Sequence, residues 1–187
     1  MISGMAVVFL FKSMFGNNDW DFINVIMIKL FHANPVEWTS DPKLVIPVIV
    51  FAMTWRGAGA TALIYLSNFQ QIDNSIYEAS RIDGVSPTGR FFKLTLPMMR
   101  TTILMLLILQ IISVFQVFYE PMVIAGQDNR NAISLMLLAY NYAFHDANFE
   151  YAKSAATSVV LALIILAFTL FYFGISKIIE RKALKGH

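Results

Sequence analysis

Three stretches of this chain are apolar for long enough to cross a bilayer, and they constrain its fold more than any other feature. They cover residues 44–66, 101–119 and 155–175. At 1.5 Å per helical residue, about 20 residues span a hydrocarbon core of roughly 30 Å. Composition agrees: of 187 residues, 57% are hydrophobic and 14% charged, with a mean hydropathy of +0.61. A soluble domain of this size has too much surface per volume to hide such an excess. The chain therefore reads as an all-α membrane protein, a polytopic transmembrane helix bundle, and not as a free soluble enzyme. A shorter apolar run, residues 1–15, holds Lys12 and reads as part of a span. It has neither a basic leading segment nor a cleavage site, so it does not read as a signal peptide. Residues 133–144 read as an interfacial or re-entrant helix.

Charge sets an orientation. The segment 67–100 carries Arg81, Arg90, Lys93 and Arg100, and the tail carries Lys177, Arg181, Lys182 and Lys185. Against these eight bases stand Asp73, Glu78, Asp83 and Glu180. The opposite side holds Lys29, Lys43, Arg130 and Lys153 against eight acids, including Asp19, Asp128, Asp146 and Glu150. The basic side is expected to be cytoplasmic, which places segment 67–100 and the C-terminus there. A net charge of +2 with no basic stripe argues against a nucleic-acid partner. With no cysteine, and with His32, His145 and His187 far apart, no metal site is expected. No phosphate-cradling G-x-x-x-x-G-K-[ST] sequence occurs, so this chain is expected to bind no ATP by that motif.

Segment 67–100 is more than a connection. Ile72, Ile76, Ala79 and Ile82 recur at helical spacing. Asp83-Gly84 supplies a helix stop, and Ser86-Pro87 supplies an N-cap with proline at the first helical position. Phe91, Phe92 and Leu94 follow, then Pro97. The expected unit is helix, sharp turn, helix. Its plain alternative is an amphipathic loop resting on lipid headgroups.

The string Glu78-Ala79-Ser80-Arg81-Ile82-Asp83-Gly84-Val85, followed by Phe91, Leu94 and Leu96-Pro97, resembles the EAA loop of MetI-like permeases. These are the membrane subunits of type I ABC importers. Ser80 and Val85 stand where the family usually has Ala, and Leu94 where it has Ile. Asn24, Trp38, Pro42, Trp55 and segments 66–72, 140–144 and 149–155 are similar to the MalF-like carbohydrate branch. Two departures from that branch are Glu150, where Gly is common, and Ala125-Gly126-Gln127-Asp128-Asn129, where a T-x-G-G-P-like stretch is frequent. The resemblance covers residues 1–187 as the C-terminal part of such a permease, with earlier spans expected to be missing.

That resemblance implies a non-catalytic subunit of a multi-pass permease in the bacterial cytoplasmic membrane, importing sugars or oligosaccharides. It implies four kinds of partner: a second homologous permease subunit, two cytoplasmic ATPase subunits that use ATP and Mg, an extracellular solute-binding protein, and the lipid bilayer. The coupling residues would be Glu78, Ala79, Ser80, Asp83, Gly84, Phe91, Leu94, Leu96 and Pro97. Glu78 would anchor the loop, Gly84 set its bend, and Pro97 fix where the next span begins. The competing readings are a permease for another solute, such as glycerol phosphate, and a secondary transporter with a chance match in its loop.

Within the spans, Arg56 lies about 18 Å into its helix, near mid-bilayer, where a charge marks a functional candidate. Met53, Arg56, Gly57 and Ala60 form one helical stripe; Gln110, Ser113, Val114 and Val117 form another. Two readings stand side by side. Either the stripes line a sugar path, or Arg56 pairs with Glu120 or a partner subunit while Gly57, Gly59 and Ala60 form a packing face. Gln116, Phe115, Phe118 and Tyr119 read as packing. Trp20, Trp38, Tyr140 and Tyr142 read chiefly as an interfacial aromatic belt. His32 and His145 read as solvated loop residues.

Overall fold

In the computed structural model, which describes residues 4–145 and 149–184, the chain is helical with no strand among the described residues. The start of run 1–15, together with Asp146, Lys185 and His187, lies outside them. Among the described residues eight helices follow in order: α1 Gly4–Met14, α2 Phe22–Phe31, α3 Val45–Phe69, α4 Asn74–Ile82, α5 Pro87–Met98, α6 Arg100–Phe115, α7 Leu135–Tyr140 and α8 Tyr151–Leu184. By length and composition α3 and the Tyr151–Gly174 part of α8 are each long and apolar enough to cross a membrane. A third crossing forms if α5 and α6, bent by 66° at Met99, count as one.

The apolar run 101–119 does not become one helix. Its helix stops at Phe115, after 16 residues, and a turn at Gln116 leads into non-helical Val117 and Phe118. Helical backbone resumes at Tyr119 and passes into a wide i→i−5 turn over Pro121–Ala125. Proline lacks the N–H that an uninterrupted helix would use and crowds the carbonyl four residues earlier. Such a break frees carbonyls, which are costly without a partner. Here Ser134 Oγ donates to Val117 O at 2.6 Å and accepts from Leu137 N–H at 3.0 Å, capping α7.

The contacts divide the chain into two units, one of Met1–Gly57 with Ile112–Phe168, the other of Ala58–Ile111 with Thr169–His187. The core of the first gathers Val8 and Phe11 of α1, Val45, Val48, Ile49 and Ala52 of α3, and Val123, Ile124 and Ala132. Phe11, Phe15, Phe51 and Trp38 interlock at its edge, mostly edge to face. Loops around this core are stitched by amide side chains. Asn24 is fully buried: Nδ2 donates to Val36 O (3.0 Å) and Asn18 O (3.1 Å), and Oδ1 accepts from Val36 N (3.0 Å) and Trp38 Nε1 (2.9 Å). Asn17 Oδ1 takes the N–H and hydroxyl of Thr39, and Asn129 Nδ2 donates to Thr39 O. Trp38 is thus a half-buried structural tryptophan, whereas Trp20 is exposed. Gly16 sits against the Asp21 carboxylate, and a Cβ there would make that side chain move.

Candidate functional site

Two regions hold the residues that the sequence singles out. The first is the corner between α4 and α5. Asp73 caps α4 by accepting the Ser75 N–H at 2.9 Å, and that bond holds its carboxyl below the usual carboxylate range. At the other end Val85 N–H reaches Ser80 O (3.0 Å) and Gly84 N–H reaches Arg81 O (3.1 Å). This double closure satisfies the last carbonyls of the helix and requires a left-handed residue. Gly84 supplies it at φ +71°. Ser86 then caps α5, its Oγ accepting from Gly89 N–H, with Pro87 in the first turn.

The face of α4 that turns inward differs from the expected one. Ser80 is buried, its Oγ donating to Tyr77 O, and Tyr77 OH pairs with Thr95 Oγ1 at 2.9 Å. Ile72 and Ile76 are half-buried, but Ala79 is exposed and Ile82 is 88% exposed. Glu78, Asp83, Phe91, Phe92, Leu96 and Pro97 are exposed as well, and Leu94 is half-buried. Pro97 does not open the next helix. It lies inside α5, just after a wide turn over Phe91–Thr95, and α6 begins at Arg100 beyond the bend. The wide turn moves the backbone away from the proline ring, which a regular helix would clash with.

The second region surrounds Arg56. Its Nη2 lies 2.6 Å from Glu120 Oε1, with the Glu120 side chain 2% exposed and the Arg56 side chain 39% exposed. The contact is an ion pair and not an aligned hydrogen bond, since Oε1 accepts no well-directed N–H. Gly4 of α1 leaves room for the guanidinium: a Cβ at Gly4 would stand 3.1 Å from Arg56 Nη1. Met53 packs against the core. Gly57, Ala60, Ser113 and Val114 are exposed, Val117 is half-buried, and a methyl on Gly57 would meet nothing within 4 Å.

Gln110 of α6 lines an open groove of about 420 Å³ together with Thr61 and Tyr65 of α3. The sequence stripe selected Ala60 and missed Thr61 and Tyr65. Their polar atoms on an apolar helix, four residues apart, were the available signal. His145 is not a bare loop residue either: its Nε2 lies 3.3 Å from Asp128 Oδ1. Among the described residues no cluster of His, Asp or Glu has the makings of a metal site.

The family of binding-protein-dependent transport system inner membrane components matches residues 1–185. This chain belongs to that family. Among its relatives, the lactose transport system permease protein LacF of Rhizobium radiobacter is 36% identical over 90% of this chain and 57% of its own length. The trehalose/maltose transport system permease protein MalF of Thermococcus litoralis is 30% identical over 81% of this chain and 50% of its own. The chain therefore spans about half the length of these relatives. A crystal structure of a bacterial ABC transporter involved in alginate import superposes with a TM-score of 0.81 at 21% identity, covering 95% of this chain and 61% of that one. At that identity the likeness establishes the fold alone; the family rests on the match over residues 1–185.

Proposed function

We propose that this chain is part of the transmembrane permease of a binding-protein-dependent ABC importer for sugars or oligosaccharides. It would lie multi-pass in the bacterial cytoplasmic membrane, with the α4–α5 corner and the C-terminus in the cytoplasm. The names of its relatives support the solute class: lactose, trehalose/maltose and arabinooligosaccharides. The single observation that carries the mechanism is the α4–α5 corner. Its turn is fixed by main-chain hydrogen bonds while Ile82, Phe91 and Phe92 stay exposed beside it. Apolar side chains left open on a rigid turn suit burial against a partner.

In this reading two ATPase subunits bind and hydrolyse ATP with Mg, and one takes the corner into a groove. Their closure moves the corner as a rigid body and swings α3 and α6, giving alternating access. A second homologous permease completes the path, and an extracellular solute-binding protein delivers the sugar. Arg56, Gly57, Ala60, Gln110, Ser113, Val114 and Val117 line it, with the core-packed Met53 shaping its wall from behind. This chain performs no chemistry of its own and binds no cofactor.

The test is Gly84→Asp in the full importer. Aspartate tolerates a left-handed backbone better than most residues, so the substitution strains the turn less than most would and puts a charge into the docked surface. Uptake should fall more than about tenfold, a docking loss above ~1.4 kcal/mol, while ATP hydrolysis continues. Undiminished uptake would overturn the coupling role.

A further inference from the structure

We infer that Glu120 is a specificity-determining positioning residue: by neutralising Arg56, it makes the path select neutral saccharides over solutes bearing a carboxylate or phosphate. The inference rests on the proposed path along α3 and α6 and deepens it. An unpaired guanidinium at mid-bilayer would be a ready anchor for an anion, since Arg matches the geometry of carboxylate and phosphate with a planar fork of donors. Here Glu120, buried to 2% exposure, already faces that fork at 2.6 Å. The two charges cancel within one contact. In a low-dielectric setting, an incoming anion would meet the buried carboxylate as well as the cation, and repulsion from the first offsets attraction to the second.

Three features show a built arrangement. The non-helical stretch at Val117 and Phe118 and the helical turn after it bring Glu120 inward, and Ser134 holds that break by its bond to Val117 O. Glycine at position 4 leaves the guanidinium its space. Arg56 keeps 39% of its side chain exposed and makes no aligned hydrogen bond to Glu120 Oε1, so its guanidinium retains N–H donors to offer hydroxyl oxygens. A neutral sugar gains those bonds without having to displace Glu120.

The test uses the purified permease–ATPase assembly without the binding protein, so that delivery does not preselect the solute. A neutral disaccharide and the matching disaccharide uronic acid are titrated calorimetrically. The wild type should bind the neutral sugar at least about tenfold more tightly. Glu120→Gln, which frees the cation, should narrow or reverse that ratio by about tenfold or more. Arg56→Gln should widen it, and Arg56→Gln/Glu120→Gln should restore the wild-type ratio, which a merely structural pair would not do. If Glu120→Gln fails to accumulate, the Arg56→Gln ratio and the double variant still decide. A ratio unmoved by these changes, with sugar binding intact, overturns the inference alone. An assembly that hydrolyses ATP but binds neither sugar overturns the path reading beneath it.

Discussion

At the residue scale, Asn24 shows how this chain spends its few buried polar groups. A side-chain amide offers two N–H donors and one oxygen with two lone pairs. Asn24 fills this capacity with Asn18 O, Val36 O, Val36 N and Trp38 Nε1. It ties the α1–α2 loop and the segment before α3 to one point inside α2. Asn24→Leu keeps the bulk but strands two carbonyls and two N–H groups. At roughly 1–3 kcal/mol for each buried group left unpaired, the loss should reach about 3 kcal/mol after partial rehydration. Thermal unfolding in detergent should show a midpoint several degrees lower, with Trp38 fluorescence shifted to the red. An unchanged midpoint would mean that the loops are held by something else. The sequence contained both Asn24 and Trp38 as separate features, yet it did not join them. A contact across 14 residues, from inside a helix to the irregular segment beyond it, has no period to read, and a tryptophan near a span end defaults to the aromatic belt.

At the scale of elements, what was legible and what was not divides along the range of the forces. The α4–α5 corner could be read from residues because its chemistry is local: an aspartate cap, a glycine in the left-handed region, a serine cap and a proline at the first turn, all within 15 residues. The break after Phe115 could not, because hydropathy averages side chains and is blind to backbone hydrogen bonds. Run 101–119 is apolar on average and uncharged throughout, and its interruption depends on Pro121 ahead and on Ser134, 17 residues beyond the carbonyl it satisfies. Ser134 therefore carries a prediction. Ser134→Ala removes both the α7 cap and the partner of Val117 O, costing about 1–3 kcal/mol. Ser134→Thr keeps both bonds and should recover most of it. The readout is amide hydrogen exchange: protection at Leu137 should drop in the alanine variant and return with threonine. Equal protection in all three would show that the break needs no such partner.

At the scale of the whole molecule, the exposed apolar surface divides into two kinds that the bilayer reading separates. On α8, Val159, Val160, Leu163, Leu166 and Leu170 are exposed along one side of the helix, an uncharged apolar face of the kind a span turns to lipid. On the α4–α5 corner, Ile82 and Phe92 are exposed beside charged Arg81, Asp83 and Lys93, which hydrocarbon would not tolerate. The first surface calls for lipid and the second for protein at a membrane face. The absence of cysteine makes the distinction measurable, because every introduced thiol is the chain's only one. Single variants Trp20→Cys, Ile82→Cys, Phe92→Cys and Leu163→Cys are treated with a membrane-impermeant maleimide in intact spheroplasts and in inverted vesicles. Trp20→Cys should label only from the outside, Ile82→Cys and Phe92→Cys only in inverted vesicles, and Leu163→Cys in neither. Adding the ATPase subunit to stripped inverted vesicles should protect positions 82 and 92 and leave the rest unchanged. Labelling of positions 20 and 82 from the same side would overturn the orientation drawn from the basic loops. Labelling of 82 and 92 that the ATPase does not suppress would place the coupling contact elsewhere on the chain.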